Sequence, residues 1–283
     1  MDELHITPLS DALGAEVVGV DTSGMLEPEV VTALNAAFLE HHLLCFRSQP
    51  MTAEAFARLA RCFGTPQLQL LRHRRHDAAP EVSMLDSTYK TPEDKPDDLT
   101  RVRLSGWHTD DSYFAKPAKA TMLQSLALPS GGGETKFANL RRAYEDLPPE
   151  DRQRLAGLRA VHSYDTVRAP ARAVKLTPEE AAETPDVEHP LVRTHEDTGA
   201  KAIYFNPNRT DRIVGIERGE GDALLDQLYA HVTQPKYQYH HRWRLGDLLL
   251  WDNRCLLHAV NTDYPVGEVR RHQRILLQGG VPA

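Results

Sequence analysis

His108-Thr109-Asp110 is the tripeptide of this chain best suited to hold a metal. Two neutral imidazoles and one carboxylate on one side of a divalent ion form a facial triad. The opposite side stays free for oxygen and a chelating ligand. On a β-strand, residues i and i+2 face the same way, so His-x-Asp delivers two of the three ligands together. With 14 histidines in the chain, roughly one such tripeptide is expected by chance. A second does occur, His195-Glu196-Asp197, inside RTHEDTGAK. There Asp, Thr and Gly mark the turn of a hairpin, whose exposed tip suits a dry metal pocket poorly, so His195 reads as structural. His108 instead follows Trp107 and opens a predicted strand running to Phe114.

The third ligand must come from elsewhere, and His258 in LLLWDNRCLLHAV is the candidate. Cys255 is its rival, because Cys-x-x-His occurs in zinc sites. On a strand, an offset of three puts the two side chains on opposite faces, so Cys255 reads as a buried apolar thiol. His240 and His241 in YQYHHRW read as cross-strand residues, although one of them could lie near the site. His162 and His189 carry no motif.

The elements that must position these groups are mostly short strands. Predicted strands cover Ala15–Val20, His42–Phe46, Trp107–Phe114, Thr121–Leu128, Arg159–Tyr164, Leu191–Thr194, Ala202–Phe205, Tyr237–Trp243, Asp247–Trp251 and Gln273–Gln278. Each is rich in β-formers, and Gly, Pro or Asp mark the boundaries. Predicted helices cover Pro28–His41, Ala53–Phe63, Leu140–Leu158 (broken by Pro148-Pro149) and Glu220–Val232. Many strands with a few outer helices indicate a mainly β fold with flanking helices, a β-sandwich or jelly roll. One domain is expected over residues 1–283, with core strands from about residue 104 onward and an N-terminal α/β flank over residues 1–66. Thr88–Thr100 and Thr166–Glu188 lack periodicity and read as loops, either plain surface excursions or an active-site lid.

Composition narrows the function classes. A net charge of −7 provides no basic field for nucleic acid or anionic membrane. No apolar run approaches the length needed to span a bilayer, and MDELHITPLSD lacks the layout of a signal peptide. Three widely spaced cysteines (Cys45, Cys62, Cys255) argue against a disulfide scaffold. A soluble cytoplasmic protein is expected, one that self-associates as a homo-oligomer.

The strings GWHTDDSYF, PSGGGETKFANLRRAYEDLP, HPLVRTH, HRWRLGDLLLWDNRCLLHAV and RRHQR, in that order, resemble the taurine/2,4-dichlorophenoxyacetate dioxygenase family from about Ile6 to Gly279. The resemblance implies a double-stranded β-helix (jelly roll), Fe(2+), the cosubstrate 2-oxoglutarate and O2. It implies iron ligands His108, Asp110 and His258. Thr135 matches a threonine that hydrogen-bonds 2-oxoglutarate, and Arg270 the arginine that pairs with its distal carboxylate. Arg274 matches the position that binds the substrate's acidic group. The gap from His258 to the first arginine is one residue longer than in the taurine enzymes, so Arg271 is a register rival. Arg270 is preferred because it keeps the Arg-x-x-x-Arg spacing, and an even offset keeps both arginines on one strand face.

Where the taurine enzymes line the substrate pocket with apolar or hydroxyl side chains, this chain has Arg209 and Val167-Arg168, besides the basic run Arg72–His76. A small anionic organic substrate is therefore expected, bearing carboxylate, sulfonate or sulfate, with succinate and CO2 as co-products. An aryloxy- or alkyl-carboxylate or a sulfate ester fits better than taurine. Asp110 argues against the halogenating branch of this chemistry, in which a small residue stands at that position. Two other classes remain: a zinc-dependent hydrolase, and a jelly-roll binding protein without catalysis.

Overall fold

In the computed structural model, residues 3–47, 51–90, 106–169 and 175–283 are described. The first third holds β1 (His5–Pro8), β2 (Ala15–Val18), α1 (Pro28–His41), β3 (Leu43–Phe46), α2 (Ala53–Ala60), β4 (Pro66–Gln67) and β5 (Ser83–Asp86). Next come β6 (Ala120–Ala127), β7 (Thr135–Asn139), α3 (Leu140–Glu145), α4 (Pro149–Leu155), β8 (Arg159–His162) and α5 (Pro178–Ala182). Then follow β9 (Val187–Pro190), β10 (Val192–Thr194), β11 (Lys201–Ile203), β12 (Thr210–Ile213) and α6 (Arg218–Val232). The chain closes with β13 (Gln238–His241), β14 (Leu248–Asp252), β15 (Leu256–Val260) and β16 (Arg271–Leu277).

The architecture is mainly β with a few helices. The large sheet runs β1-β2-β3-β14-β6-β16-β4, with β5 also paired to β16. A smaller sheet, β13-β7-β15, carries His258. A three-stranded sheet, β12-β8-β9, and a two-stranded one, β10-β11, complete the β structure of the described residues. The N-terminal strands extend the large sheet: β3 pairs with β14 at Leu44↔Leu250, and β2 joins β3 in parallel.

The central strands are apolar on both faces because both faces are covered. Along β14, Leu248 and Leu250 enter one core with Phe38 of α1 and Phe56 of α2, while Leu249 and Trp251 enter the other. This second core holds Phe137 of β7, whose ring lies edge-on to Trp251 at 5.3 Å. The two sheets thus close on each other on the side away from α1 and α2, and the candidate site sits between them.

Local signals set the helix ends. Pro28 starts α1, and His42 ends it in the left-handed region at φ 62°. Thr52 Oγ1 accepts from Ala55 N at α2, and Asn139 Oδ1 from Arg142 N at α3. Pro148-Pro149 separate α3 from α4 as predicted.

Two expectations change. Trp107–Phe114 is no strand: His108 makes one antiparallel bridge to His258, and the chain then turns through Asp111 at φ 57°. Asp-Asp-Ser favours a turn over a strand. Within Thr166–Glu188, a capping box of Thr177 and Glu180 folds α5, while residues 170–174 lie outside the described residues. Of Thr88–Thr100, residues 91–100 lie outside them too. Among the described residues no helix is long and apolar enough to cross a membrane.

Candidate metal centre and its two cavities

His258 sits mid-strand in β15, and His108 joins it by a closed pair of backbone hydrogen bonds. His108 N donates to His258 O at 2.9 Å, and His258 N to His108 O at 2.7 Å. Their rings come to 4.1 Å. The turn after His108 brings Asp110 back, with Oδ2 3.8 Å from His258 Nε2. One ligand atom from each of the three residues lies within 4.8 Å of the others. Asp110 thus joins His108 through a turn, not through strand alternation.

The charge states suit a divalent cation. Burial opposes ionisation of Asp110, but His258, Arg274 and His108 outweigh it and hold the carboxyl below its ordinary range. Burial, then the charge of His108, drives the His258 imidazole well below its ordinary range. At neutral pH Asp110 is therefore a carboxylate and His258 a neutral imidazole. His108 Nδ1 lies 2.9 Å from Gly106 O. Assigned as Nδ1–H, it leaves the Nε2 lone pair as the donor. The residues present therefore fit a metal of the iron(II) or manganese(II) type.

Around the triad stands a chain of supports. Thr121 Oγ1 donates to Asp110 Oδ2 at 2.6 Å. Asn253 Nδ2 donates to Thr121 Oγ1 at 2.8 Å, and Trp251 Nε1 to Asn253 Oδ1 at 3.0 Å. Asn206 Nδ2 holds the turn through Thr109 O and Ser112 Oγ. His189 Nε2 lies 3.0 Å from both Ser112 O and Phe114 O.

Two cavities meet at the metal cluster, and His108, Asp110, Arg74 and Arg274 line both. The first, about 300 Å³, lies between the sheets and includes Thr135, Trp251, Arg270 and His272. Arg270 is 4% exposed, and its described partners are neutral. Its Nη2 and Nε donate to Gly133 O at 3.0 and 3.3 Å, and its Nη1 to Ser87 Oγ at 3.2 Å. Burial pushes its pKa down to about 10, the mark of a cation lacking a counter-charge. Thr135 Oγ1 accepts from Trp243 Nε1 at 3.0 Å. Arg271 points the other way, exposed, 3.1 Å from Asp86.

The second cavity, about 350 Å³, includes Tyr113, Tyr164, Asn206 and Arg209. The Arg209 guanidinium lies between two aromatic faces, 4.9 Å from the centre of Tyr113 and 4.5 Å from that of Tyr164. It also donates to Tyr164 O. Arg274 Nη2 donates to Gln69 Oε1 at 2.6 Å, and Nη1 lies 3.5 Å from Asp110 Oδ1. Asp111 also lines this cavity. Burial and the neighbouring Asp110 raise its carboxyl to about 6, although Gln67 and Tyr113 donate to it.

Among the residues singled out in the sequence, Arg168 does not belong here. It pairs with Asp222 at 2.7 Å and Asp226 at 2.6 Å on α6 and lines a different cavity. The acidic face of α6 neutralises it. In the basic run, Arg74 alone lines the two cavities; Arg72 pairs with Glu183.

His195 is structural, but the expectation of an exposed tip is wrong. It is 4% exposed, and its Nε2 lies 2.9 Å from Asp252 Oδ2, beside Arg254. This buried charge network draws the hairpin tip inward. His241 does not reach the metal triad either, but forms a buried cluster with Cys45 and Asp247. Asp247 there already pairs with Arg47 at 2.8 Å, and burial raises the Cys45 thiol to about 12. Sequence reasoning missed Thr121, Asn206, Asp111 and His272. Only His272, at even spacing between two arginines in RRHQR, carried a legible signal.

The model of the family described as taurine catabolism dioxygenase TauD, TfdA family, matches residues 5–276. The chain belongs to this family. It is 34% identical over 284 residues to the (S)-phenoxypropionate/alpha-ketoglutarate-dioxygenase of Sphingobium herbicidovorans, covering 95% of this chain and 94% of that one. It is 32% identical to the alpha-ketoglutarate-dependent sulfate ester dioxygenase of Pseudomonas putida, covering 99% of this chain and 91% of the relative. Its structure is similar to that of a taurine dioxygenase from Burkholderia xenovorans, with a TM-score of 0.83 and 33% identity over 99% of this chain and 91% of that one.

Proposed function

We propose that His108, Asp110 and His258 hold iron(II), that the cavity between the sheets takes 2-oxoglutarate, and that the second cavity takes a small anionic substrate. The chain is a 2-oxoglutarate-dependent dioxygenase. One observation supports this division above the rest: the triad lies where two cavities meet, and each contains an arginine whose described partners are neutral. The two facing sheets correspond to a double-stranded β-helix.

Bound iron, with 2-oxoglutarate and O2, supplies the oxidation that turns 2-oxoglutarate into succinate and CO2 and hydroxylates a substrate carbon. The protein's own contribution is positioning, charge pairing and exclusion of water. Arg270 offers its fork to the distal carboxylate of 2-oxoglutarate, and Thr135 offers a hydroxyl beside it. Thr121 and Arg274 hold the Asp110 carboxylate in place. Arg209 and Arg274 receive the substrate's anionic group, the former kept flat and rigid by two tyrosine faces. The substrate class we assign is an aryloxycarboxylate or a sulfate ester. If the hydroxylated carbon bears the ether or ester oxygen, the product falls apart to a carbonyl compound.

The test is succinate release from protein given ferrous iron, ascorbate and 2-oxoglutarate, across a panel of phenoxyalkanoates, alkyl sulfates and alkyl sulfonates. A clear rise in succinate with one of the first two classes is expected. No rise with any acid would overturn the reading.

A further inference from the structure

The first cavity contains one polar group that these roles leave unused. Arg270 immediately precedes β16, His272 and Arg274 follow it at two-residue steps within the strand, and all three line this cavity. Both arginines have described partners. His272 is 1% exposed, and neither of its ring nitrogens has a hydrogen-bond partner among the described residues. Leaving a buried donor and acceptor unmade is costly, and an apolar side chain would fill the same space without that cost.

Its surroundings indicate which kind of group it would meet. The His272 ring lies edge-on to Trp243 at 4.8 Å, and Trp243 Nε1 donates to Thr135 Oγ1 at 3.0 Å. Thr135 and Arg270 are the two groups already assigned to 2-oxoglutarate. Burial, and then Arg270, keep the imidazole neutral, so it offers one N–H and one lone pair. A carboxylate oxygen in this cavity is the acceptor that the N–H lacks.

We propose that His272 is a third recognition group for 2-oxoglutarate, donating its N–H to a carboxylate oxygen of the cosubstrate beside Arg270. This rests on the assignment of that cavity to 2-oxoglutarate. His272 is a binding residue in this role and takes no part in proton transfer.

The experiment is anaerobic calorimetric titration of Mn(II)-loaded protein with 2-oxoglutarate. His272→Leu removes the donor at similar volume, and His272→Gln retains one. His272→Leu is expected to weaken binding about tenfold, the effect of losing a hydrogen bond to a charged group. His272→Gln should stay within about threefold of wild type by the same scale, with Mn(II) affinity unchanged in both. A merely structural histidine would not be rescued in this way. If His272→Leu does not fold, His272→Met takes its place. Wild-type protein that fails to bind 2-oxoglutarate overturns the cavity assignment and this role with it. Wild-type binding together with equal binding by the apolar variant overturns the role of His272 alone and leaves a water as its partner.

Discussion

Arg270 lies buried against Gly133 and Ser87, while its neighbour Arg271 faces solvent beside Asp86. Removing one partner of a buried charge pair costs about 2–5 kcal/mol. Arg270→Ala should therefore raise the 2-oxoglutarate concentration needed for half-maximal succinate formation by roughly thirtyfold or more, and Arg271→Ala should leave it unchanged. The opposite pattern would shift the register of β16 by one residue. Gly133 is a second test of the same grip. It sits at φ +73°, and a Cβ there would lie 2.9 Å from Arg270 Nε. Gly133→Ala should weaken 2-oxoglutarate binding by displacing the guanidinium and lower stability by about 1 kcal/mol through the backbone. At this scale the sequence was informative, because ligand chemistry demands particular side chains at particular spacings. Arg168 shows the limit of such reading. A guanidinium is legible from its letter, but the two carboxylates that neutralise it belong to α6 and meet it only in the fold.

At the scale of elements, the turn from His108 to Phe114 is the part most dependent on tertiary support. Strand alternation explained His108 and Asp110 on one face, yet the real cause is a turn that Asn206, His189 and Asn253 fix from outside. None of these contacts is local, so no window of sequence could reveal them. The support can be tested at Thr121, which donates to Asp110 from the neighbouring β6. Thr121→Val keeps the shape and deletes the hydroxyl. Ion affinity, measured by anaerobic titration with Mn(II), should fall about 10–100-fold, the usual effect of losing an outer partner of a metal ligand. Unchanged affinity would mean that Asp110 is positioned without Thr121. The helices were easier to read, since Pro28, Pro148-Pro149 and the apolar periodicity act within one turn of the residues they govern.

For the whole molecule, acid is the informative variable. Burial pushes the His42 pKa down to about 4, against an ordinary 6.5. Between those values the unfolded chain binds a proton that the folded chain refuses. The contribution is intact above about pH 6.5 and is lost as pH falls toward 4. At 1.36 kcal/mol per pH unit, this one side chain costs about 2 kcal/mol at pH 5. His42 also ends α1 in the left-handed region, where asparagine is well tolerated. His42→Asn should thus flatten the fall in unfolding free energy between pH 7 and pH 5, as measured by urea denaturation. A slope identical to that of wild type would assign the acid sensitivity to other buried histidines, such as His162 and His189. Composition spoke only to broad classes at this scale, because the burial that sets such shifts is a property of the finished packing.

The paired backbone hydrogen bonds between His108 and His258 have one more consequence. Bringing such distant segments together carries a loop-closure entropy, and here the polypeptide ladder bears it before any ion arrives. The ion is then a guest in a finished frame, unlike the zinc of a small finger whose fold collapses under chelation. Protein stripped with a chelator should keep its far-ultraviolet circular dichroism and a cooperative melt. Its midpoint should shift only by mass action as ion is restored, and reloading should need no refolding.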